Sequence, residues 1–150
     1  MSNSLFIDIG SCQRQKDGED CFGDTIYSKK IPEERRVISI LSDGLGSGVK
    51  ANILSSMTTR MAMKFMEDNT DLLRSSEIMM DALPICQIRK ISYATFSIVD
   101  SELEGKTRIF EMDNPRYIFI RNHRLLAIKG REFSSPKWKE RTISVSQITT

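Results

Sequence analysis

Histidine is nearly absent from this 150-residue chain; His123 is the only one. No Cys/His cluster surrounds it, which argues against a zinc site. The three cysteines (Cys12, Cys21 and Cys86) are odd in number and form no C-x-x-C pair. That pattern argues against a disulfide framework and fits a reducing cytoplasm, with the thiols buried or partly exposed. No apolar run is long enough for a membrane helix. The opening MSNSLFIDIG lacks the basic-then-apolar order of a secretory signal. Internal repeats and low-complexity segments are missing too, and no aspartate follows Asp113.

What remains is the composition of a globular domain, with 39% apolar and 28% charged residues and a net charge of +2. A length in the ~100–200-residue range predicts a single domain spanning 1–150, with a core of its own. The charge is uneven. Residues 121–150 carry seven basic and two acidic side chains. These basic residues alternate with strand-like apolar ones, and only Phe133 and Trp138 are aromatic there, so a solvated face is expected rather than a nucleic-acid surface.

The periodicity predicts both strands and helices. Leu5–Gly10 alternates weakly and reads as a first strand, and Cys21–Ser28 as one arm of a hairpin. Val37–Ser42 is a compact β-branched run, predicted to be a buried strand. Further strands are expected at Ile91–Asp100, Lys106–Met112, Tyr117–Arg121, Leu125–Lys129 and Thr142–Ile148, with Asn122–His123 as a tight turn. Between them the period changes. Val49, Ile53, Met57, Met61 and Phe65 recur every four residues, widened by Leu54, Ala62 and Met66. This predicts an amphipathic helix over about 48–67 with that stripe facing the core and Ser47 as N-cap. A second helix is expected over about 70–82, on Leu72, Leu73, Ile78, Met79 and Leu83, ended by Pro84. The order predicts an α+β fold: a layered α-β-β-α sandwich of antiparallel sheets with two flanking helices.

The segment richest in chemistry is Ser42–Ala51, SDGLGSGVKA. A buried strand delivers Asp43 to its end, glycines follow, and a helix begins at once. One reading is a phosphate cradle at a helix N-terminus. The strict patterns fail: Gly48 is followed by Val49 rather than the P-loop lysine, and the third glycine of G-x-G-x-x-G is replaced by Val49. The other reading is a hard-cation site built on Asp43 and a backbone carbonyl. Glu19, Asp20 and Asp24 lie upstream, beside a strand that a hairpin would fold back so that Asp20 meets Asp43. An all-oxygen donor set suits magnesium or manganese. The plain alternative is an Asp-Gly turn beside a solvated acidic loop.

The SDGLGSG block resembles the strand-to-helix motif of the metal-dependent type 2C (PPM) protein serine/threonine phosphatases. The resemblance is greatest to the bacterial branch typified by stage II sporulation protein E. Glu19-Asp20-Cys21-Phe22 is similar to that family's upstream acidic motif. Ala94–Asp100 (ATFSIVD) is similar to a downstream strand, and DNPRYIFI at 113–120 to the turn and strand after it. The blocks fall in the family's order over roughly 5–148.

The resemblance implies a protein phosphatase of a bacterial signalling pathway, hydrolysing phosphoserine or phosphothreonine with water activated by two Mn2+ or Mg2+ ions. Asp43 is the expected catalytic, ion-bridging residue; Gly44 would lend its carbonyl and Asp20 would bind one ion. The substrate would be a phosphoprotein, with no nucleic acid or membrane involved, in the cytoplasm. Residues 48–90 correspond to the switching and dimerisation segment, so a homodimer contact is expected there. The family's later metal-binding aspartates have no counterpart after Asp113. The expectation is therefore a C-terminally truncated domain, inactive alone, with a non-catalytic regulatory or protein-binding module of the same fold as the alternative.

Overall fold

Backbone pairing begins at Thr25 in the computed structural model, which describes residues 5–82, 94–136 and 141–150. Strand β1 (Thr25–Ile31) turns through a short 3-10 segment at Pro32–Glu34 into β2 (Arg36–Ser42). Arg35 closes the turn in the left-handed region, at φ 50°. Helices α1 (Gly48–Glu67) and α2 (Leu72–Ala82) follow. The remaining strands are β3 (Phe96–Glu102), β4 (Lys106–Met112), β5 (Phe119–Arg121), β6 (Arg124–Leu126), β7 (Arg131–Ser134) and β8 (Thr142–Thr149). Six of them form one antiparallel sheet in the order β1-β2-β3-β4-β8-β7, and β5–β6 is a separate hairpin.

The α+β class and the antiparallel pairing agree with the sequence expectation. The described residues supply one helical layer, one six-stranded sheet and the small hairpin. Leu5–Gly10 is not a strand; among the described residues its one backbone-to-backbone hydrogen bond is Leu5 N–H to Leu103 O at 2.8 Å. Strand β7 was not anticipated, since REFS is too short and polar to show a period of two. Residues 91–93, Leu83 and Pro84, and Cys86 fall outside the described residues. Among the described residues no helix is long and apolar enough to cross a membrane.

The core lies between one sheet face and the helices. Ile38 and Ile40 of β2, Phe96 and Ile98 of β3, Phe110 and Met112 of β4, and Ile143 of β8 meet Ala62, Met63 and Met66 of α1 and Met79 of α2. Strand alternation produces this face: Ile38 and Ile40 are buried while Ser39 and Leu41 turn away.

The α1 stripe requires a correction. Met61 and Phe65 do pack on the core, but Val49, Ile53 and Met57 are 64%, 52% and 43% exposed. The buried face of the first turns is Ala51, Leu54, Ser55, Thr58 and Thr59. At Ala51 the helix approaches the backbone of Gly44 and Gly23 so closely that only a small side chain fits. The hydroxyls are satisfied locally: Thr58 Oγ1 donates to Leu54 O at 2.8 Å and Thr59 Oγ1 to Ser56 O at 3.0 Å. Ser47 occupies the N-cap position in an extended conformation but makes no side-chain capping bond.

At the far end of α1 a buried ion cluster ties helix to sheet. Arg36 donates from Nε to Asp100 Oδ1 at 2.5 Å, from Nη2 to Asp100 Oδ2 at 3.1 Å, and from Nη2 to Met66 O at 3.0 Å. Arg108 donates to the same carboxylate. Burial alone would lower the Arg36 pKa, but the hydrogen bonds to Asp100 and Glu34 outweigh it and the net shift is upward.

Among the described residues of the basic stretch, Arg124, Lys129 and Arg131 are exposed, in keeping with a solvated face. Arg141 departs from this. It is buried 3.7 Å from Asp113, and burial lowers its pKa while Asp113 partly offsets the effect.

Candidate metal centre at the end of β2

The site is assembled where β2 runs out. Ser42 is fully buried and donates to Thr95 O at 2.6 Å, and Thr95 N–H donates to Asp43 O at 3.0 Å. Gly44 bridges to Ala94. The Thr95 side chain in turn bonds Asn114, whose Nδ2 reaches Ser97 Oγ at 2.9 Å and Leu41 O at 3.4 Å. Asp43 is thus fixed by the first residues of the ATFSIVD block and by the DNPR corner, two blocks distant from it in sequence.

Gly44 is a glycine for a local reason. A Cβ there would sit 2.1 Å from Ala51 O and 2.7 Å from Gly23 O, both backbone atoms that cannot swing aside. The chain between strand and helix passes directly over Ala51, which is fully buried. The segment before β1 is stitched to the same helix: Asn52 Nδ2 donates to Phe22 O at 2.8 Å, Ser55 Oγ to Gly23 O at 2.7 Å, and Thr25 Oγ1 lies 2.7 Å from Ser55 Oγ. All four sequence blocks converge at this point.

The β1–β2 register decides which upstream carboxylate arrives. Thr25 stands opposite Ser42, so Asp24 is carried to Asp43. The two carboxyl groups come within interacting distance of each other there. The expected meeting of Asp20 with Asp43 is therefore corrected to Asp24; Asp20 is an exposed loop residue four positions further back. Counting equal numbers of residues outward from the Pro32–Arg35 turn would have found Asp24. Glu19 lies elsewhere, with its carboxylate over Gly48 at the start of α1, where the helix N-terminus favours negative charge. Cys12 and Cys21 are free thiols, one exposed and one partly buried.

The electrostatics fit a cation site. Although Asp43 is exposed as a residue, partial burial of its carboxyl group, then the hydrogen bond to Asp24 and then that neighbour's charge push its pKa up to about 6. Two carboxylates this close repel unless a proton or a cation lies between them. With Gly44, whose carbonyl belongs to the same turn, they make a donor set of oxygens only, suited to a hard divalent ion. Among the described residues no group of three or more His, Cys, Asp or Glu side chains converges.

At the level of sequence, no protein-family model and no curated protein matches the chain. The fold does have solved relatives. The chain has the fold of the PPM phosphatases. It is similar to RsbX, solved as a complex with magnesium, at TM-score 0.62 and 22% identity over 92% of this chain and 65% of that one. It is also similar to the phosphatase domain of the cell-fate determinant SpoIIE from Bacillus subtilis, at TM-score 0.60 and 16% identity over 91% and 58%. The chain thus spans about six tenths of the length of these two structures.

Proposed function

We propose that the chain is the metal-binding part of a protein serine/threonine phosphatase, holding Mg2+ or Mn2+ between Asp24, Asp43 and the Gly44 carbonyl. The observation that supports this reading is the Asp24–Asp43 carboxyl pair at the end of β2, in a fold shared with phosphatases, one of them crystallised with magnesium. When bound, such an ion supplies an acidified water and a Lewis acid for the phosphoryl oxygens. The chain's own residues orient it. Thr95 and Asn114 fix the Asp43 backbone, Gly44 allows the turn to close on α1, and the β1–β2 register presents Asp24. The substrate in this reading is a phosphoprotein.

Calorimetric titration with Mn2+ tests the site, with binding expected for the native chain and lost in Asp43→Asn and in Asp24→Asn. Hydrolysis of p-nitrophenyl phosphate by the complete protein, stimulated by Mn2+ and abolished by Asp43→Asn, tests the chemistry. If Asp43→Asn leaves both unchanged, the assignment fails.

A second reading, a non-catalytic binding module of the same fold, is favoured by one observation: the described residues bring together two carboxylates rather than three or more. Metal binding without any turnover supports that reading.

A further inference from the structure

Strand β1 is an edge of the six-stranded sheet, and among the described residues no backbone hydrogen bond other than those to β2 reaches Thr25–Ile31. Its alternate N–H and C=O groups are open to another strand, and it contains no proline to block one. Strand β1 also leads directly out of Asp24. An edge that begins at the candidate site is positioned to bring an extended segment to it.

The two faces of this edge differ. Thr25 and Tyr27 lie on the helix side: Thr25 bonds Ser55 and Ser56 of α1, and Tyr27 stands opposite the buried Ile40. Ser28 lies on the other side, 2.9 Å from Ser39 Oγ. By alternation Asp24 and Asp43, each one step beyond the Thr25–Ser42 pair, belong to the side away from α1. On the helix side is a cavity of about 240 Å3 lined by Thr25, Ile26, Tyr27, Ser56, Thr59 and Arg60. Among the described residues Arg60 makes no hydrogen bond and no ion pair, so the cleft combines hydroxyl groups with an uncommitted guanidinium. Nothing acidic lines it.

Given the phosphatase reading above, we propose that β1 docks the substrate by strand addition. An extended phosphoserine segment pairs with the open edge of Thr25–Ile31. Its phosphoserine stands opposite Asp24, and an acidic side chain enters the β1–α1 cleft to meet Arg60. Strand geometry fixes the spacing. Residues of an added strand alternate faces, so the acidic residue must be an odd number of positions from the phosphoserine, one or three, to stand opposite Thr25 or Tyr27. An acidic residue two positions away shares the phosphoserine's face and cannot reach Arg60. The surface therefore selects by the parity of charge along the substrate as well as by net charge.

Fluorescence anisotropy with labelled nonapeptides tests this. Each peptide carries a central phosphoserine in an alanine-serine background, with two glutamates placed either on its immediate neighbours or two positions away. The odd-spaced peptide is expected to bind about tenfold tighter, the scale of a charge-assisted guanidinium–carboxylate contact. Arg60→Ala should erase the difference and Arg60→Lys should keep part of it. N-methylating alternate backbone amides of the peptide should weaken binding in one parity only. Equal binding of the two peptides, no binding, or a preference that survives Arg60→Ala would overturn the proposal. The Mn2+ titration separates the two readings. An Arg60-dependent odd preference without Mn2+ binding leaves β1 as a phosphopeptide-docking edge and removes the phosphatase reading. Mn2+ binding without the preference does the reverse.

Discussion

Asp24 is held against Asp43 one step beyond the last pair of the β1–β2 ladder, where Thr25 faces Ser42. Two acids separated by a seven-residue strand, a turn and another seven-residue strand become a single acidic unit through register alone. The titration of that unit is the most direct experimental handle on the site.

In metal-free protein, carbon-detected NMR should find Asp43 protonating near pH 6, and Asp24→Asn should bring that midpoint down toward the ordinary aspartate range. The sign for stability follows. A carboxyl whose folded-state pKa is raised binds more protons in the native than in the unfolded state between about pH 4 and 6. The folded protein is therefore relatively stabilised at the acid end of that window and loses that contribution as pH rises through it. Mn2+ or Mg2+ should restore stability above pH 6, seen as a rise in Tm that Asp43→Asn abolishes. A metal-insensitive Tm at pH 7 would contradict the assignment.

Gly44→Ala places a methyl group 2.1 Å from a backbone oxygen of α1. The helix or the turn must move, and an overpacked core typically costs about 1–3 kcal/mol, more where backbone must shift. Urea unfolding should show a loss at the upper end of that range. Gly10→Ala is the control; nothing lies within 4 Å of its added Cβ, so a change within about 0.5 kcal/mol is expected.

Asp100→Ala leaves Arg36, which is 5% exposed, without its principal partner. Breaking a buried pair from one side costs about 3–5 kcal/mol because the remaining charge stays buried. This cluster sits at the opposite end of α1 from Asp43. The variant should therefore lower the urea midpoint while any folded fraction retains its Mn2+ affinity.

Val49, Ile53 and Met57 form an exposed apolar line on α1, and Ile78 of α2 is exposed as well. We propose that this surface mediates a homodimer through residues 48–90, of which 48–82 are described. Sedimentation should show a concentration-dependent dimer that Ile53→Glu converts to monomer without loss of helical signal. A native chain that stays monomeric at high concentration rejects the idea.

The fold was legible in the sequence wherever a local period decided the structure. Val37–Ser42 reads as a buried strand because it is a compact apolar run rich in β-branched residues (Val37, Ile38, Ile40), and Thr142–Ile148 alternates clearly. The SDGLGSG turn announces itself because three glycines between a strand and a helix have few other uses. Reading by period failed at α1, where Val49, Ile53 and Met57 mimic a core stripe. The true contact needs small residues, and Ser55, Thr58 and Thr59 are counted as polar by any hydropathy pattern even though their hydroxyls are satisfied. Asn114 lies in the DNPR block of the resemblance, but its role there was not legible, because its bonds to Thr95, Ser97 and Leu41 exist only once β2 and β3 are paired.

The sequence by itself determined the α+β class, the two helices, the antiparallel pairing and the position of Asp43 at a strand end. Each of these rests on side-chain period and turn chemistry within a few residues. Tertiary structure alone chose Asp24 over Asp20 as Asp43's neighbour, turned half of the α1 stripe outward and set Arg60 beside an open strand edge. Those outcomes depend on the exact number of residues in a turn and on how closely a helix can approach the backbone beneath it. Both are properties of the packed chain rather than of any segment.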